Sequence, residues 1–271
     1  MKPHYLPDVT GTTLNYQEHG EGPTLIFVPG LDGTALLFYR QIPLLAPYFH
    51  VLTFPLPNDS NCTMDSLVEL LREIIERVVK NRGTERVLLC GESFGGALSL
   101  SFALAHPELL QGLVILNSFP KIRNTWQLKL APPLIKMIPW FAMGMVRRFT
   151  ENRLHSPHAL PEDLAEFHTR MRWVGKDGYI RRLEILQDYD ITGRLQEIST
   201  PTRFLAGELD RLVPSVAEAR FMAKRMPHAK VVALPGYGHI CLINHDFNLL
   251  DYLDPWLKGL GEGKTMGRVN Q

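Results

Sequence analysis

With 271 residues, 45% of them hydrophobic and 21% charged, the chain has the composition of an ordinary folded domain, with room for one sizeable α/β core and an inserted subdomain. A net charge of +1 gives no electrostatic basis for binding nucleic acid or an acidic partner. Three scattered cysteines, Cys62, Cys90 and Cys241, form no close pair and no metal-ligand spacing, so the expectation is a reducing, cytoplasmic setting. Met1–Asp8 has no apolar leader-like run. The greasiest stretch, Leu134–Val146, is broken by Lys136 and Pro139 and is too short to span a bilayer.

Thr12–His19 alternates loosely and ends in Gly20-Glu21-Gly22-Pro23, the pattern of an early edge strand and a turn. Thr24–Val28 is a short continuous apolar run, hence a buried strand. Pro29-Gly30-Leu31-Asp32-Gly33-Thr34 breaks it, and a helix is expected through Leu36, Phe38 and Ile42 towards Leu45. His50–Phe54 is the next strand. Thr63 is placed to cap a helix whose apolar positions, from Leu67 to Val79, keep helical spacing until Asn81-Arg82-Gly83. Val87–Cys90 reads as a buried strand, Ala97–Ala105 as a helix and Gly112–Leu116 as another strand. From Phe119 to Tyr189 the pattern holds no strong strand, only helical stretches separated by prolines. Strands return at Thr202–Ala206 and Lys230–Leu234, with helices over Ser215–Met226 and Asn244–Leu257. Such alternation implies a mostly parallel sheet covered on both faces, with ligands bound beyond the carboxyl ends of its strands.

The chain is organised around Gly91-Glu92-Ser93-Phe94-Gly95, which stands between a strand and a helix. The flanking glycines permit a very tight turn that lifts the Ser93 hydroxyl above the sheet. Gly-x-Ser-x-Gly in this strand–turn–helix setting resembles the nucleophile elbow of the α/β-hydrolase superfamily. A serine hydroxyl needs a base, and the base needs an orienting acid. The resemblance implies the chain order Ser, acid, His. Phe204-Leu205-Ala206-Gly207-Glu208-Leu209-Asp210 follows a strand and offers Asp210, and Pro235-Gly236-Tyr237-Gly238-His239 follows another and offers His239. Asp210 matches the family's Gly-x-x-Asp placement, whereas the rival Glu208 does not. Taken singly, Asp210 also has a reading as a helix cap and His239 as a neutral loop histidine; the three segments together carry the match.

The fold implied is an α/β-hydrolase core over 1–118 and 190–271, with a mostly parallel central sheet, helices on both faces and a helical cap inserted at 119–189. The backbone N–H groups of Leu31 and Phe94 are the expected oxyanion donors. The family's common His-Gly is replaced here by Pro29-Gly30, at little cost because the donor is backbone. Asp32 is expected to turn away and bond neighbouring N–H groups. This loop also resembles that of plastid and cyanobacterial esterase/lipase/thioesterase proteins. In the cap, Phe119, Trp126, Leu134, Ile138, Trp140, Phe141 and Met145 are expected to line an apolar substrate pocket.

The resulting expectation is a serine hydrolase of carboxylic esters with apolar acyl or aryl groups, acting through an acyl-enzyme on Ser93 without metal or organic cofactor. The partner is a small-molecule ester, and transient membrane contact by the cap stays open. Thioester hydrolysis, acyl transfer, lactone opening and carbon–carbon bond hydrolysis use the same residues and stay open. An aminopeptidase would need a cap carboxylate, for which Glu151, Glu162, Asp163, Glu166 and Glu184 are the candidates. A non-catalytic small-molecule receptor on the same scaffold is the alternative from a different class. Serine at the elbow argues against dehalogenases and epoxide hydrolases, which resemble this fold but use aspartate there.

Overall fold

The computed structural model describes residues 4–7, 13–123, 125–145 and 153–257. Among the described residues, eight strands form one sheet: β1 (His4–Pro7), β2 (Thr13–His19), β3 (Thr24–Val28), β4 (His50–Thr53), β5 (Val87–Glu92), β6 (Leu110–Leu116), β7 (Thr202–Gly207) and β8 (Ala229–Leu234). Their spatial order is β1-β2-β4-β3-β5-β6-β7-β8. The pairs β1–β2 and β2–β4 are antiparallel, and the rest are parallel. The first strand went unread because His4-Tyr5-Leu6-Pro7 is short and ends in proline, which suits only a sheet edge.

Side chains alternate across the sheet, so each strand feeds two cores. Ile26, Val28, Leu89 and Ile115 pack with Leu71, Ile75, Phe94 and Leu98 on one face. Leu25, Phe27, Cys90 and Val114 pack with Phe38, Phe49, Leu242 and Leu253 on the other. Around the sheet lie α1 (Gln41–Leu45), α2 (Met64–Arg82) and α3 (Phe94–Ala105). Helix α2 starts where its sequence says it should. Thr63 accepts a hydrogen bond from Ser66 N–H at 3.1 Å, and Ser66 Oγ returns one from Thr63 N–H at 2.8 Å.

Between β6 and β7 the described chain is helical: α4 (Thr125–Met137), α5 (Pro161–Arg170) and α6 (Lys176–Asp188). Helix α7 (Ser215–Ala223) joins β7 to β8, and α8 (Asp254–Leu257) closes the described chain. Cap and core are tied by Tyr189 O–H donating to the Ala97 carbonyl at 3.1 Å.

Three expected helices come out shorter, and the one over Ser215–Met226 ends at Ala223. The 36–45 stretch divides into a 3-10 turn at Leu36–Phe38 and the short α1, and Pro43 lacks the N–H that a continuous helix would bond to the Tyr39 carbonyl. The long helix expected over Asn244–Leu257 is absent; only a 3-10 turn at Leu249–Tyr252 and α8 form. Buried Gln41 explains this. Its amide donates to the carbonyls of Leu242 (2.8 Å) and Phe247 (3.0 Å) and accepts from Leu249 N–H (2.9 Å). The Phe247 carbonyl and the Leu249 N–H, which a helix would have paired, are thereby satisfied without one.

Candidate active site

The loops after β3, β5, β6, β7 and β8 gather at one edge of the sheet, because parallel strands end there together. The register aligns Val28 with Gly91, Glu92 with Leu116, Leu116 with Leu205, and Gly207 with Leu234. At the centre, Ser93 has φ 55° and ψ −116°, a conformation that costs about 1–3 kcal/mol for a residue with a side chain. The turn is held by Ser93 N–H donating to the Leu116 carbonyl (2.9 Å) and by Ser118 O–H donating to the Ser93 carbonyl (2.8 Å). Glycine is required at position 95: a Cβ there would lie 2.1 Å from the Val28 carbonyl oxygen.

His239 Nε2 stands 3.0 Å from Ser93 Oγ, and His239 Nδ1 stands 2.7 Å from Asp210 Oδ2. An ionised carboxylate only accepts, so the proton sits on Nδ1, and Nε2 is free to accept from the serine. Asp210 is fully held. Oδ1 accepts from Leu212 and Val213 N–H at 2.9 Å each, and Oδ2 also accepts from Ser215 O–H. Burial pushes the Asp210 pKa up, but the charge of His239 and the hydrogen bonds from His239, Ser215 and Val213 outweigh it and leave the pKa lowered. Asp210 thus holds the His239 imidazole and also caps the turn into α7.

Asn117 fastens the histidine loop. It lies just past β6 with φ 45°. Its amide donates to the carbonyls of His239 (2.6 Å) and Gly238 (3.2 Å) and accepts from Gly207 N–H (2.8 Å). From the cap side, Ser156 Oγ accepts from Gly238 N–H at 3.0 Å, and the Leu154 carbonyl accepts from Ile240 N–H at 2.8 Å.

The loop after β3 lies against Ser93, with a Cβ built on Gly30 falling 3.6 Å from the Ser93 Cβ. Leu31 borders the same cavity as Ser93. Phe94 opens α3, so its N–H is one of the helix's orphan N-terminal donors. Asp32 Oδ2 accepts from Thr34 N–H (2.8 Å) and Thr34 O–H (2.6 Å). The loop's own carbonyls are gripped from the cap. Arg182 on α6, only 2% exposed, donates to the carbonyls of Leu31 (3.0 Å), Pro57 (3.1 Å) and Asp32 (3.3 Å). Gly33, at φ 67°, leaves room for it: a Cβ there would lie 2.5 Å from the guanidinium.

Beneath the serine, Glu92 is buried, and its Oε1 has no hydrogen-bond partner among the described residues. Burial first, then the nearby Asp32 and Asp210, push its pKa up to about 8. The Cys90 and Cys241 thiols are buried and pushed well up, chiefly by desolvation, which makes them inert as nucleophiles. Among the described residues, no three His, Cys, Asp or Glu side chains converge to hold a metal.

A cavity of about 430 Å³ opens on Ser93, walled by apolar side chains that include Phe119, Leu128, Leu183, Leu186 and Val213. Of the seven expected pocket residues, Phe119 lines it. Leu134, Phe141 and Met145 are exposed instead. Ile138 and Trp140 do not border the cavity, and Trp140 donates from its indole to the Val174 carbonyl at 3.0 Å. The side chain of Trp126 lies outside the described residues. For Leu134 the reason is that α4 presents another face, through Leu128 and Ala131, to the cavity, and apolar residues on several sides of this helix do not single out one face; Ile138, Trp140, Phe141 and Met145 lie past its end at Met137. The cavity's polar end holds Lys121, Arg123 and Glu218, with Arg123 Nε on Glu218 Oε1 at 2.6 Å. Of the cap carboxylates, Asp163 is bound by Arg40, Glu166 by Arg170 and Glu184 by Lys136; none of these borders the cavity, and Glu151 lies outside the described residues. A larger groove of about 570 Å³ between α2, α3 and α6 holds none of Ser93, Asp210 or His239.

Comparison with known proteins agrees with this architecture. The chain is 27% identical over 275 residues to the carbamate hydrolase RutD of Stutzerimonas stutzeri (strain A1501), whose name gives that activity as provisional; the match covers 89% of this chain and 96% of the relative. It is 24% identical over 254 residues to the pimeloyl-[acyl-carrier protein] methyl ester esterase of Aeromonas hydrophila, covering 89% of this chain and 98% of the relative. A thermophilic esterase from Thermogutta terrifontis has the same fold, with a TM-score of 0.82 at 18% identity over 95% of this chain and 98% of that one. Among the described residues, no helix is long and apolar enough to cross a membrane. The model of the α/β hydrolase family matches residues 25–248, and the chain belongs to that family.

Proposed function

We propose that the protein is a serine hydrolase of carboxylic esters with an apolar acyl or aryl portion. The observation that carries the reading is the hydrogen-bonded chain Ser93–His239–Asp210 at the mouth of an apolar cavity of about 430 Å³. Ser93 Oγ attacks the ester carbonyl while His239 Nε2 takes its proton. Asp210 holds the imidazole and stabilises its charged form. The N–H groups of Leu31 and Phe94 receive the oxyanion. His239 then gives the proton to the leaving alcohol, and an acyl group remains on Ser93. Water, deprotonated by the same histidine, releases the acid. The esterase and carbamate-hydrolase names of its relatives support chemistry at an acyl carbonyl.

The test is hydrolysis of p-nitrophenyl esters of increasing acyl length by the wild type and by Ser93→Ala. Turnover rising from acetyl to an acyl chain that fills the cavity, and abolished in Ser93→Ala, is the expected result. Turnover that survives in Ser93→Ala, or is absent from the wild type across the series, rejects the reading.

A further inference from the structure

Helix α4 has two apolar faces, and only one of them is used by the cavity. Leu128 and Ala131 border the cavity. Leu130, Leu134 and Met137 are exposed, Met137 by 81%, and the chain past Pro139 adds Met145 and Phe141, the latter 89% exposed. Trp173, 76% exposed, belongs to the same surface. Its neighbour Val174 accepts the Trp140 indole hydrogen bond, and Lys176 Nζ donates to the Lys136 carbonyl at 3.2 Å. Large apolar side chains exposed together in this way mark a contact surface.

The charge around this face is net positive. Lys129, Lys136, Arg172 and Lys176 stand on or beside it, against Asp177 and against Glu184, which pairs with Lys136 at 2.8 Å. Lys129 is exposed beside Leu130, and Arg172 beside Trp173. We propose that this face docks the protein on a membrane surface bearing anionic phospholipid headgroups. Leu130, Leu134, Met137, Phe141 and Trp173 enter the acyl boundary, and the cations meet the phosphates. A second copy of the chain is the poorer occupant, because a symmetric contact through this face would bring like charges together. Docking would set the outer face of α4 on the source of apolar substrate while its inner face borders the cavity. The inference rests on the exposed face and not on the chemistry at Ser93.

The test is co-sedimentation of the full chain with vesicles of phosphatidylcholine alone or mixed with phosphatidylglycerol, with tryptophan emission read in parallel. Binding to the mixed vesicles is expected, weakening as salt rises, with a blue shift that is lost in Trp173→Phe. Lys129→Glu should lower the partition coefficient by about fivefold or more, since each cation near such a surface contributes about 1 kcal/mol. Met137→Glu should lower it by about tenfold or more, since it puts a charge in the apolar contact. Circular dichroism and urea unfolding establish that both variants are folded. Absence of binding to the anionic vesicles by the folded wild type overturns the proposal. So does binding indifferent to both substitutions, or a wild-type dimer that Met137→Glu dissociates.

Discussion

Arg182 is the point at which the cap holds the loop carrying Leu31, and Arg182→Met should separate catalysis from binding. The guanidinium is 2% exposed and donates to three carbonyls, those of Leu31, Pro57 and Asp32. Hydrogen bonds from a charged donor contribute about 1.5–3 kcal/mol each. Removing the donor also removes the cost of burying its charge. A net loss of about 2–4 kcal/mol results, which a fold of ordinary stability survives. The larger effect falls on rate. If Leu31 N–H receives the oxyanion, releasing its loop degrades one of two donors, and loss of a whole donor costs about 10²–10³ in kcat. A fall in kcat of about tenfold or more is therefore expected, with KM for a p-nitrophenyl ester nearly unchanged. Arg182→Lys keeps the charge but not the fork and should fall between. Steady-state kinetics beside urea unfolding decide the matter. Wild-type kcat in a folded Arg182→Met, or a raised KM with kcat intact, would refute the coupling.

Asn117→Ala removes the bonds to the His239 and Gly238 carbonyls and to Gly207 N–H; kcat should drop with little change in KM, and unfolding should need less urea, by about 2–3 kcal/mol. Asp210→Asn presents the wrong partner to Nδ1 and should lower kcat by about 10⁴ while the protein stays folded. Glu92, with its pKa at about 8 against an ordinary 4.5, holds a proton in the folded protein that the unfolded chain gives up across that window. Stability should therefore fall as pH rises from about 4.5 to 8, with a slope of about one proton. Glu92→Gln should remove that slope in urea titrations at several pH values; an unchanged slope would mean that Glu92 is ionised in the fold.

What could be read from the residues was whatever is encoded locally. Continuous apolar runs marked β3, β5, β6 and β7, because a strand buried on both faces has no other composition available. Ser93, Asp210 and His239 each follow a strand within a few residues, and the chain order that the family resemblance implies singled them out. Asn117, at the end of β6, occupied the same kind of place and could have been read the same way. Arg182 could not: nothing on an amphipathic helix tells which basic residue turns inward when its partners are backbone carbonyls about 125–151 positions away. Gln41 is similar, since it replaces a helix across a separation of more than 200 residues. The cap showed the opposite difficulty. Its large apolar residues pointed to a substrate pocket without saying which of them met substrate and which met solvent.

The central claim is that Ser93 is an activated nucleophile, and covalent labelling tests it most directly. The wild type is treated with a fluorophosphonate, and the intact mass and the peptide containing Ser93 are analysed beside Ser93→Ala and His239→Ala. One adduct on Ser93, absent from Ser93→Ala and strongly slowed in folded His239→Ala, is the expected result. A folded wild type that takes no label, or that labels at the same rate without His239, would contradict it.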